Sequence, residues 1–214
     1  MARKHCLKKI LNDYCVIDTE TTGLSSVEHE MIEIGILRIR NGKIVSRYSQ
    51  LIHPRQAIDP FITNLTGITN EMVEHMPYID EVKSMVLDFI GNDVLLGHNI
   101  RFDINFLNAG FDMEIQNDLM DTLQFAKKLY PELAHHRLTD LSNYLHLISN
   151  EHRALADCMT TYQLYETIKQ TMRIRQLQPE DLWVSLKRKN NCEMKWESFE
   201  KIGMSFLKGE MSHF

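Results

Sequence analysis

An apolar run near the start of the chain ends abruptly in acidic residues. Residues 14 to 17 are Tyr, Cys, Val and Ile, and Asp18 follows them directly. A run that is apolar on both faces predicts a strand in the centre of a sheet. Residues 31–54 form two further stretches of strand-like residues that meet at Asn41 and Gly42, a dipeptide typical of a tight hairpin turn.

Helical spacing of apolar residues begins after this hairpin. Val82, Met85, Val86 and Phe89 recur at helical intervals and predict a helix that ends at Gly91. The other predicted elements are a loop at 59–77 with a short helix at 70–74, a buried strand at 93–99, and helices near 102–109 (closed by Gly110), 122–130, 138–146 and 154–171. Strands that are followed by helices alternating with a further strand predict a mixed α/β sheet.

The composition is that of an ordinary globular protein. Its 214 residues suit one domain with an appendage, and a hydrophobic content of 43% allows a sizeable core. A net charge of −5 argues against a broad basic surface for duplex nucleic acid, although a small site balanced by bound metal stays open. The four cysteines are scattered and no long apolar run occurs, which predicts a reduced, cytoplasmic protein without a membrane span.

A change in composition near Gln170 divides the chain. Acidic residues outnumber basic ones before it, whereas the stretch 171–214 is slightly basic and contains both tryptophans. We therefore expect a main domain over residues 1–170 and a helical extension over 171–214. Tails of mixed charge with a few aromatic residues commonly pack on their own domain, and docking to a partner or to nucleic acid is the alternative.

The acids at the end of the first strand belong to a larger set. Asp18 and Glu20 lie two residues apart on a strand, so their side chains point to the same face. Asp103 precedes Phe106 and Leu107 by three and four residues, which places it on the apolar stripe of its predicted helix. This carboxylate is therefore expected to point inward.

Asp157 occupies the same kind of position on the last predicted helix, in line with Leu164 and Ile168. Inward carboxylates are unfavourable unless they are paired or bind a metal. Arg101 and Arg153 fall on other helical faces and leave these acids without an evident partner. One economical arrangement brings all four acids together around divalent cations, and carboxylate ligands favour hard ions such as Mg²⁺ or Mn²⁺.

Three motifs that contain these acids follow one another along the chain: DTETTG (18–23), HNIRFD (98–103) and HRALAD (152–157). In this order they resemble the motifs of the DEDDh 3′→5′ exonucleases, a group that includes the proofreading ε subunit of bacterial DNA polymerase III. The stretches LTGITNEMV (65–73) and DTLQFAKKLYP (121–131) also resemble that family, and the likeness extends over about residues 12–170. The resemblance implies a ribonuclease H-like fold, in which helices flank a mixed sheet.

The resemblance also implies a role for each matching residue. Two Mg²⁺ or Mn²⁺ ions per active site would be held by the four family acids, Asp18, Glu20, Asp103 and Asp157. Asp18 would bridge the ions, Glu20 and Asp157 would complete one site, and Asp103 would hold the other. His152 matches the catalytic histidine and would act as general base, on a loop over 148–152 that leads into the last helix.

Residues beside these acids are candidates for contacts with the terminal nucleotide. Thr21, Thr22 and Gly23 follow the first motif's acids, where their backbone amides could meet the nucleotide or simply form the exit of the strand. The other candidates could line a pocket for the base and sugar, and they are His98, Asn99 and Phe102, the last of which could equally belong to the core.

The expected function is that of a metal-dependent 3′→5′ exonuclease, which shortens single-stranded DNA and releases nucleoside 5′-monophosphates. Its expected partners are single-stranded 3′ ends and a DNA polymerase or a repair complex, as the resemblance to a proofreading subunit implies. Trimming of RNA by the same chemistry is one alternative. A catalytically silent nucleic-acid-binding module of the same fold is another, but it would need a missing acid or histidine, and none is missing.

Overall fold

The computed structural model describes residues 7–147 and 152–182. The strands within these ranges are β1 (Tyr14–Thr21), β2 (Met31–Arg40), β3 (Lys43–Leu51), β4 (Leu95–Gly97) and β5 (Leu119–Asp121). They form one sheet in the order β3-β2-β1-β4-β5. The β1, β2 and β3 strands are mutually antiparallel, whereas β4 and β5 continue the sheet parallel to β1. The predicted mixed sheet and its hairpin are confirmed.

Helices cover both faces of this sheet. They are α1 (Pro60–Thr66), α2 (Asn70–Val73), α3 (Ile79–Ile90), α4 (Arg101–Phe111), α5 (Thr122–Leu129), α6 (Leu138–Leu145) and α7 (Ala154–Ile174), followed by a 3-10 turn at Pro179–Leu182. One core lies between the sheet and helices α3 and α4. A second core lies on the opposite face, under α5, α6 and α7. The expected architecture of a mixed sheet flanked by helices is therefore present.

Strand β1 takes part in both cores because its side chains alternate between the two faces. Cys15 and Ile17 pack against α3 and α4, whereas Tyr14 and Val16 pack against α7. The same alternation continues past the last apolar residue of the strand. It directs Asp18 and Glu20 toward α7 and directs Thr19 toward α4.

The stripe of helix α3 differs from its prediction in one residue. Ile79, Val82, Val86 and Ile90 are buried, whereas Met85 is 48% exposed. Successive buried residues are spaced by three or four along one line of the helix, and Met85 lies on the margin of that line. The sheet and α4 cover only one side of α3, so a residue on the margin remains in contact with solvent.

Helix α1 replaces part of the loop predicted at 59–77. The side chain of Asp59 accepts a hydrogen bond from the backbone N–H of Phe61, Pro60 begins the helix, and Gly67 ends it with a left-handed φ of 70°. These are ordinary helix start and stop signals. The helix has only seven residues, which is too short for a repeating apolar pattern to reveal it.

Two other elements also depart from the sequence prediction. Strand β5 was not predicted, since it has three residues and its only strand partner in the described sheet is β4. Helix α4 continues through Gly110 to Phe111 and ends at Asp112, which adopts a left-handed φ of 46°. Aspartate tolerates this conformation better than most residues with a side chain, so the helix does not need the glycine as its end.

Helix α7 crosses the boundary that composition suggests between residues 170 and 171. Thr171 and Met172 are buried, and Leu182 of the 3-10 turn is buried in the same core. The first part of the predicted extension is therefore packed on the main domain, and residues 183–214, with both tryptophans, lie outside the described residues. Within the described ranges, none of the helices combines the length and apolar character that a bilayer span requires.

Candidate active site

The carboxyl end of β1 carries two acids on the face that α7 covers. Asp18 lies opposite Gly35 of β2, and Glu20 lies opposite Glu33 of the same strand. The pairing register shifts between Glu20 and Thr21, the last residue of the strand. Both acids are half-buried, so their carboxylates remain within reach of an ion or a substrate.

Helix α7 brings a third acid to this point. Asp157 lies in its first turn, and an oxygen from each of Asp18, Glu20 and Asp157 lies within 4.8 Å of those of the other two. The three residues come from positions up to 139 apart in the sequence. We call them the three-acid group.

Asp103 approaches from the opposite layer of the protein. It lies in the first turn of α4, is only 3% exposed, and its Oδ1 accepts a hydrogen bond of 2.8 Å from the hydroxyl of Thr19. Thr19 lies between Asp18 and Glu20 on β1 and points to the other face. The bond therefore holds Asp103 at the end of β1, beside the three-acid group.

Burial and mutual repulsion raise the pKa values of these carboxyl groups. Burial is the largest cause for Asp18, and the charge of Asp103 is the next. Burial and the charge of Asp157 raise the pKa of Glu20 to about 8. Burial is also the main cause of the raised pKa values of Asp103 and Asp157. Without a compensating cation, this end of the sheet favours protonated acids.

The thermal stability of the metal-free protein should fall as the pH rises. The acids have raised pKa values when folded, so their stabilising contribution is complete below the ordinary carboxyl pKa of about 4 and is lost as the pH passes through about 8. We expect the Tm in a chelator to decrease by about 5 °C between about pH 6 and pH 8.5, and saturating Mg²⁺ to remove most of this decrease. Calorimetry at both pH values measures this change. A Tm in chelator that rises over this range would contradict the expected repulsion.

A fifth acid, Glu33, was not singled out from the sequence. It is 1% exposed on β2, and its carboxylate forms an ion pair of 2.7 Å with Arg153. Its position between Ile32 and Ile34, in a strand of apolar residues, could have indicated a buried charge. Its partner could not be identified, because Arg153 lies 120 residues farther along the chain.

His152 lies in a bend immediately before Arg153, and its side chain is exposed. The predicted loop before it falls on residues 148–151, which lie outside the described residues. His152 thus lies at the entrance of α7, two residues before Ala154, the first residue of the helix, and five before Asp157. Its part in catalysis stays a prediction.

Thr21, the last residue of β1, forms a closed turn with Thr22 and Gly23. The hydroxyl of Thr21 donates to the carbonyl of Gly23 at 2.7 Å, and the backbone of Thr22 donates to the carbonyl of Glu30 at 2.8 Å. The backbone of Glu30 donates in return to the hydroxyl of Thr22 at 2.9 Å. Both threonine side chains thus help to shape the turn. Leu24, for which the sequence predicts no role, follows with an exposure of 88%.

His98, Asn99 and Phe102 lie at the junction of β4 and α4. Both ring nitrogens of His98 have protein partners, since Nδ1 lies 2.9 Å from the hydroxyl of Thr122 and Nε2 lies 2.7 Å from the carbonyl of His136. Burial lowers the pKa of this imidazole. Asn99 is exposed, with a left-handed φ of 69°. Phe102 is half-buried, and its ring centroid lies 4.9 Å from that of Phe106.

The donor set suits hard divalent cations. All four converging groups are carboxylates, which are the preferred ligands of Mg²⁺ and Mn²⁺. Burial and then the charges of neighbouring acids raise the pKa values of Asp18 and Glu20, and a bound cation would offset both effects. The oxygens of the three-acid group are close enough for one ion to contact all three residues, and Asp103 adds a carboxylate from the other side.

Sequence comparison gives one family and a set of bacterial relatives. The family model RNase_T, described as Exonuclease, matches residues 15–165. A DNA polymerase III of PolC type from Latilactobacillus sakei is 40% identical over 164 residues, which are 74% of this chain and 11% of that protein. The corresponding protein of Clostridium perfringens is 39% identical over 157 residues, 72% of this chain and 11% of its own length. The chain thus spans about a tenth of the length of these relatives.

Structural comparison gives solved exonucleases. A structure titled Exonuclease X in complex with 5′ overhanging duplex DNA has a TM-score of 0.63 and 28% identity, and the match covers 79% of this chain and 96% of that one. E. coli Exonuclease I in complex with a dT13 oligonucleotide has a TM-score of 0.65 and 18% identity, over 77% of this chain and 42% of the other. The second likeness supports the fold alone, and both agree with the ribonuclease H-like fold expected from the motifs.

Proposed function

This chain belongs to the RNase T exonuclease family, and from that premise we propose that it is a metal-dependent 3′→5′ exonuclease acting on single-stranded DNA. One observation carries the proposal: the oxygens of the three-acid group lie within 4.8 Å of one another at the end of a core strand. Such a group is costly to hold together unless it serves a bound cation. Phosphodiester hydrolysis is a reaction that uses cations held in this way.

Four side chains of this protein would hold two Mg²⁺ or Mn²⁺ ions. Asp18 lies close to Glu20 and Asp157 and is repelled by Asp103, so it would contact both ions. Glu20 and Asp157 would complete one site, and Asp103 would serve the second. The ions would supply Lewis-acid stabilisation to the attacking and leaving oxygens of the phosphate. Thr19 would orient Asp103 through its hydrogen bond of 2.8 Å to Oδ1.

His152 would act as the general base. An imidazole can accept a proton near neutral pH, and its exposed position at the entrance of α7 would allow contact with water beside the substrate. The proton would pass from the attacking water to a ring nitrogen of His152. The product would be a nucleoside 5′-monophosphate, because the bond broken is that to the 3′ oxygen of the preceding nucleotide.

The terminal nucleotide would lie between the β1 exit and the start of α4. We propose that the turn formed by Thr21, Thr22 and Gly23 lies beside its phosphate, with the Thr22 amide held by the carbonyl of Glu30, and that Asn99 and the exposed edge of Phe102 contact its sugar and base. His98 would contribute through the junction it braces, since both of its nitrogens are engaged within the protein.

DNA is favoured over RNA as the substrate by the named relatives. The two bacterial relatives described above are DNA polymerases III of PolC type, and the Exonuclease X structure contains duplex DNA with a 5′ overhang. Because the chain matches only about a tenth of each polymerase, we further propose that it acts alongside a DNA polymerase or a repair complex. Co-elution with purified polymerase subunits of the same cell would test that association, and separate elution would contradict it.

Cleavage should proceed from the 3′ end, one nucleotide at a time. With a 5′-labelled single-stranded oligonucleotide and Mg²⁺, we expect a ladder of products that shorten by single nucleotides. A 3′-phosphate should slow the reaction strongly, whereas a 5′ block should have no effect. Time courses on denaturing gels, with unlabelled mononucleotides identified by chromatography, measure these outcomes.

The same assay distinguishes the competing functions. Faster cleavage of RNA than of DNA of the same sequence would favour an RNA-trimming enzyme. Binding of the oligonucleotide without cleavage in Mg²⁺ or Mn²⁺ would favour a silent binding module. Rapid cleavage of a circular single strand would indicate an endonuclease and contradict the proposal. The Asp18→Asn variant, prepared in the same way, controls for a contaminating nuclease.

A further inference from the structure

An ion pair with a buried carboxylate joins β2 to the start of α7. The Nε and Nη2 atoms of Arg153 donate to the two carboxylate oxygens of Glu33 at 2.9 Å and 2.7 Å. The Glu33 side chain is 2% exposed, and that of Arg153 is 37% exposed. A two-point contact between a guanidinium and a carboxylate restricts both distance and direction, so it defines where Arg153 lies relative to the sheet.

Glu33 also binds the backbone at the first residue of α7. The N–H of Ala154 donates to its Oε2 at 3.0 Å. The residue that precedes the helix, Arg153, makes no side-chain cap bond of its own. The Glu33 carboxylate, on a neighbouring strand, therefore caps the N-terminus of α7, a role that a serine or aspartate just before the helix usually has. Its negative charge also interacts favourably with the positive end of the helix dipole.

The backbone packing beside Glu33 leaves little freedom for α7 to shift. A β-carbon at Gly35 would lie 2.5 Å from the backbone carbonyl carbon of Ala154 and the backbone nitrogen of Leu155. The thiol of Cys158 donates to the carbonyl of Gly35 at 3.2 Å. The start of α7 thus rests directly on the backbone of β2, in the register that Glu33 sets.

We infer that Glu33 and Arg153 are positioning residues for the active site. Through the contact of Glu33 with the start of α7, they hold His152 and Asp157 in place. His152 is bonded directly to Arg153, and the N–H of Asp157 donates to the Arg153 carbonyl at 2.9 Å. Any displacement of Arg153 therefore moves the general base and an acid of the three-acid group together. Glu33 already accepts from three donors and is a support for the site and not a ligand in it.

This inference rests on the proposed role of His152, so its test measures both. Single-turnover cleavage of a single-stranded oligonucleotide is followed at saturating Mg²⁺ for the wild type, Glu33→Gln, His152→Ala and the double variant. A carboxamide has one acceptor oxygen for the three donors, so Glu33→Gln should lower the rate by about 10–100-fold while the Kd for the oligonucleotide changes little. In the Glu33→Gln background, the fold-decrease in cleavage rate caused by His152→Ala should be at least about tenfold smaller than in the wild type.

If Glu33→Gln lowered the rate without displacing His152, the result would differ. The fold-decrease in rate caused by His152→Ala would then be equal in the wild type and in Glu33→Gln. Equal costs overturn the inference while leaving the proposed function intact. A wild type that cleaves no substrate, or one indifferent to His152→Ala, overturns the proposed function first and the inference with it. Arg153→Lys should resemble Glu33→Gln, since an ammonium keeps the charge but loses the two-point contact, and wild-type activity in this variant would also overturn the inference.

A second readout needs neither metal nor activity. Amide hydrogen exchange of the metal-free protein, followed by NMR, should show faster exchange at Ala154 in Glu33→Ala than in the wild type, with central residues of α7 unchanged. Unchanged protection at Ala154 would overturn the capping role. The matched control is Asp93→Asn, which breaks an ion pair of the same length, 2.7 Å with Arg40, next to the opposite end of β1. This control should leave Ala154 exchange and the His152→Ala cost as they are in the wild type.

Discussion

Replacing Asp18 by asparagine is expected to abolish metal-supported cleavage while the fold remains intact. Asp18 lies within the three-acid group and is also repelled by Asp103, so both proposed ion sites share it. Loss of a shared ligand should remove about 4 kcal/mol of transition-state stabilisation, which corresponds to a rate at least about 10³-fold lower. Single-turnover rates over a wide range of Mg²⁺ and Mn²⁺ concentrations measure the change.

The same variant should be more stable than the wild type when metal is absent. Asparagine removes one of several crowded negative charges, and the relief is greatest above about pH 8, where Glu20 has also lost its proton. We therefore expect a higher Tm in chelator and a smaller increase on adding Mg²⁺. The control is Asp80→Asn, which removes an acid that is 69% exposed on α3 and should change neither quantity. Full activity of Asp18→Asn would contradict the two-ion proposal.

Replacing His152 by alanine should lower turnover by about 10²–10⁴-fold, the usual contribution of a positioned general base. Metal and oligonucleotide affinities should remain close to those of the wild type, because the acids hold the ions and other residues contact the strand. Glutamine at this position should behave like alanine, since its amide cannot accept the proton usefully. Measurement of single-turnover rates and binding constants separates the loss of chemistry from a loss of binding.

The dependence of the rate on pH gives a second test of this residue. An imidazole accepts a proton only in its neutral form, so the wild-type rate at saturating metal should increase with pH and then level off. The increase should be absent or much smaller in His152→Ala. The control is His75→Ala, since His75 is also exposed but lies between α2 and α3. An unchanged rate and pH profile in His152→Ala would remove this histidine from the mechanism.

The sequence predicted those helices and strands in which the spacing of apolar residues repeats over enough positions. The central strand, the hairpin and the stripe of α7 through Leu164 and Ile168 follow from spacing within one element, and all are present. Short elements such as α1 and β5 were missed, because the seven residues of α1 complete fewer than two helical turns and the three residues of β5 depend on a distant partner strand. The exposure of Met85 likewise depends on which side of α3 is covered.

The family was predictable because three short motifs keep their order across the chain. The resemblance to exonucleases is confirmed at the level of the family by the match over residues 15–165 and by the polymerase III relatives, whereas the DEDDh subtype stays a prediction. Amphipathic spacing also indicated that Asp103 and Asp157 point inward, and Asp103 is buried while Asp157 is half-buried. The roles assigned to these acids and to His152 await the experiments above.

The sequence by itself thus determined the class of fold, the family and the set of chemically capable side chains, since these depend on residue type and on spacing within single elements. Only the tertiary structure decided which groups meet. The Thr19 bond to Asp103 spans 84 residues, and the Glu33 pair with Arg153 spans 120. Contacts of this kind depend on how the strands order themselves and on where a helix begins to pack, and many distant residues set these features together. For that reason the acids could be identified from the sequence, whereas the ion pair between Glu33 and Arg153 could not.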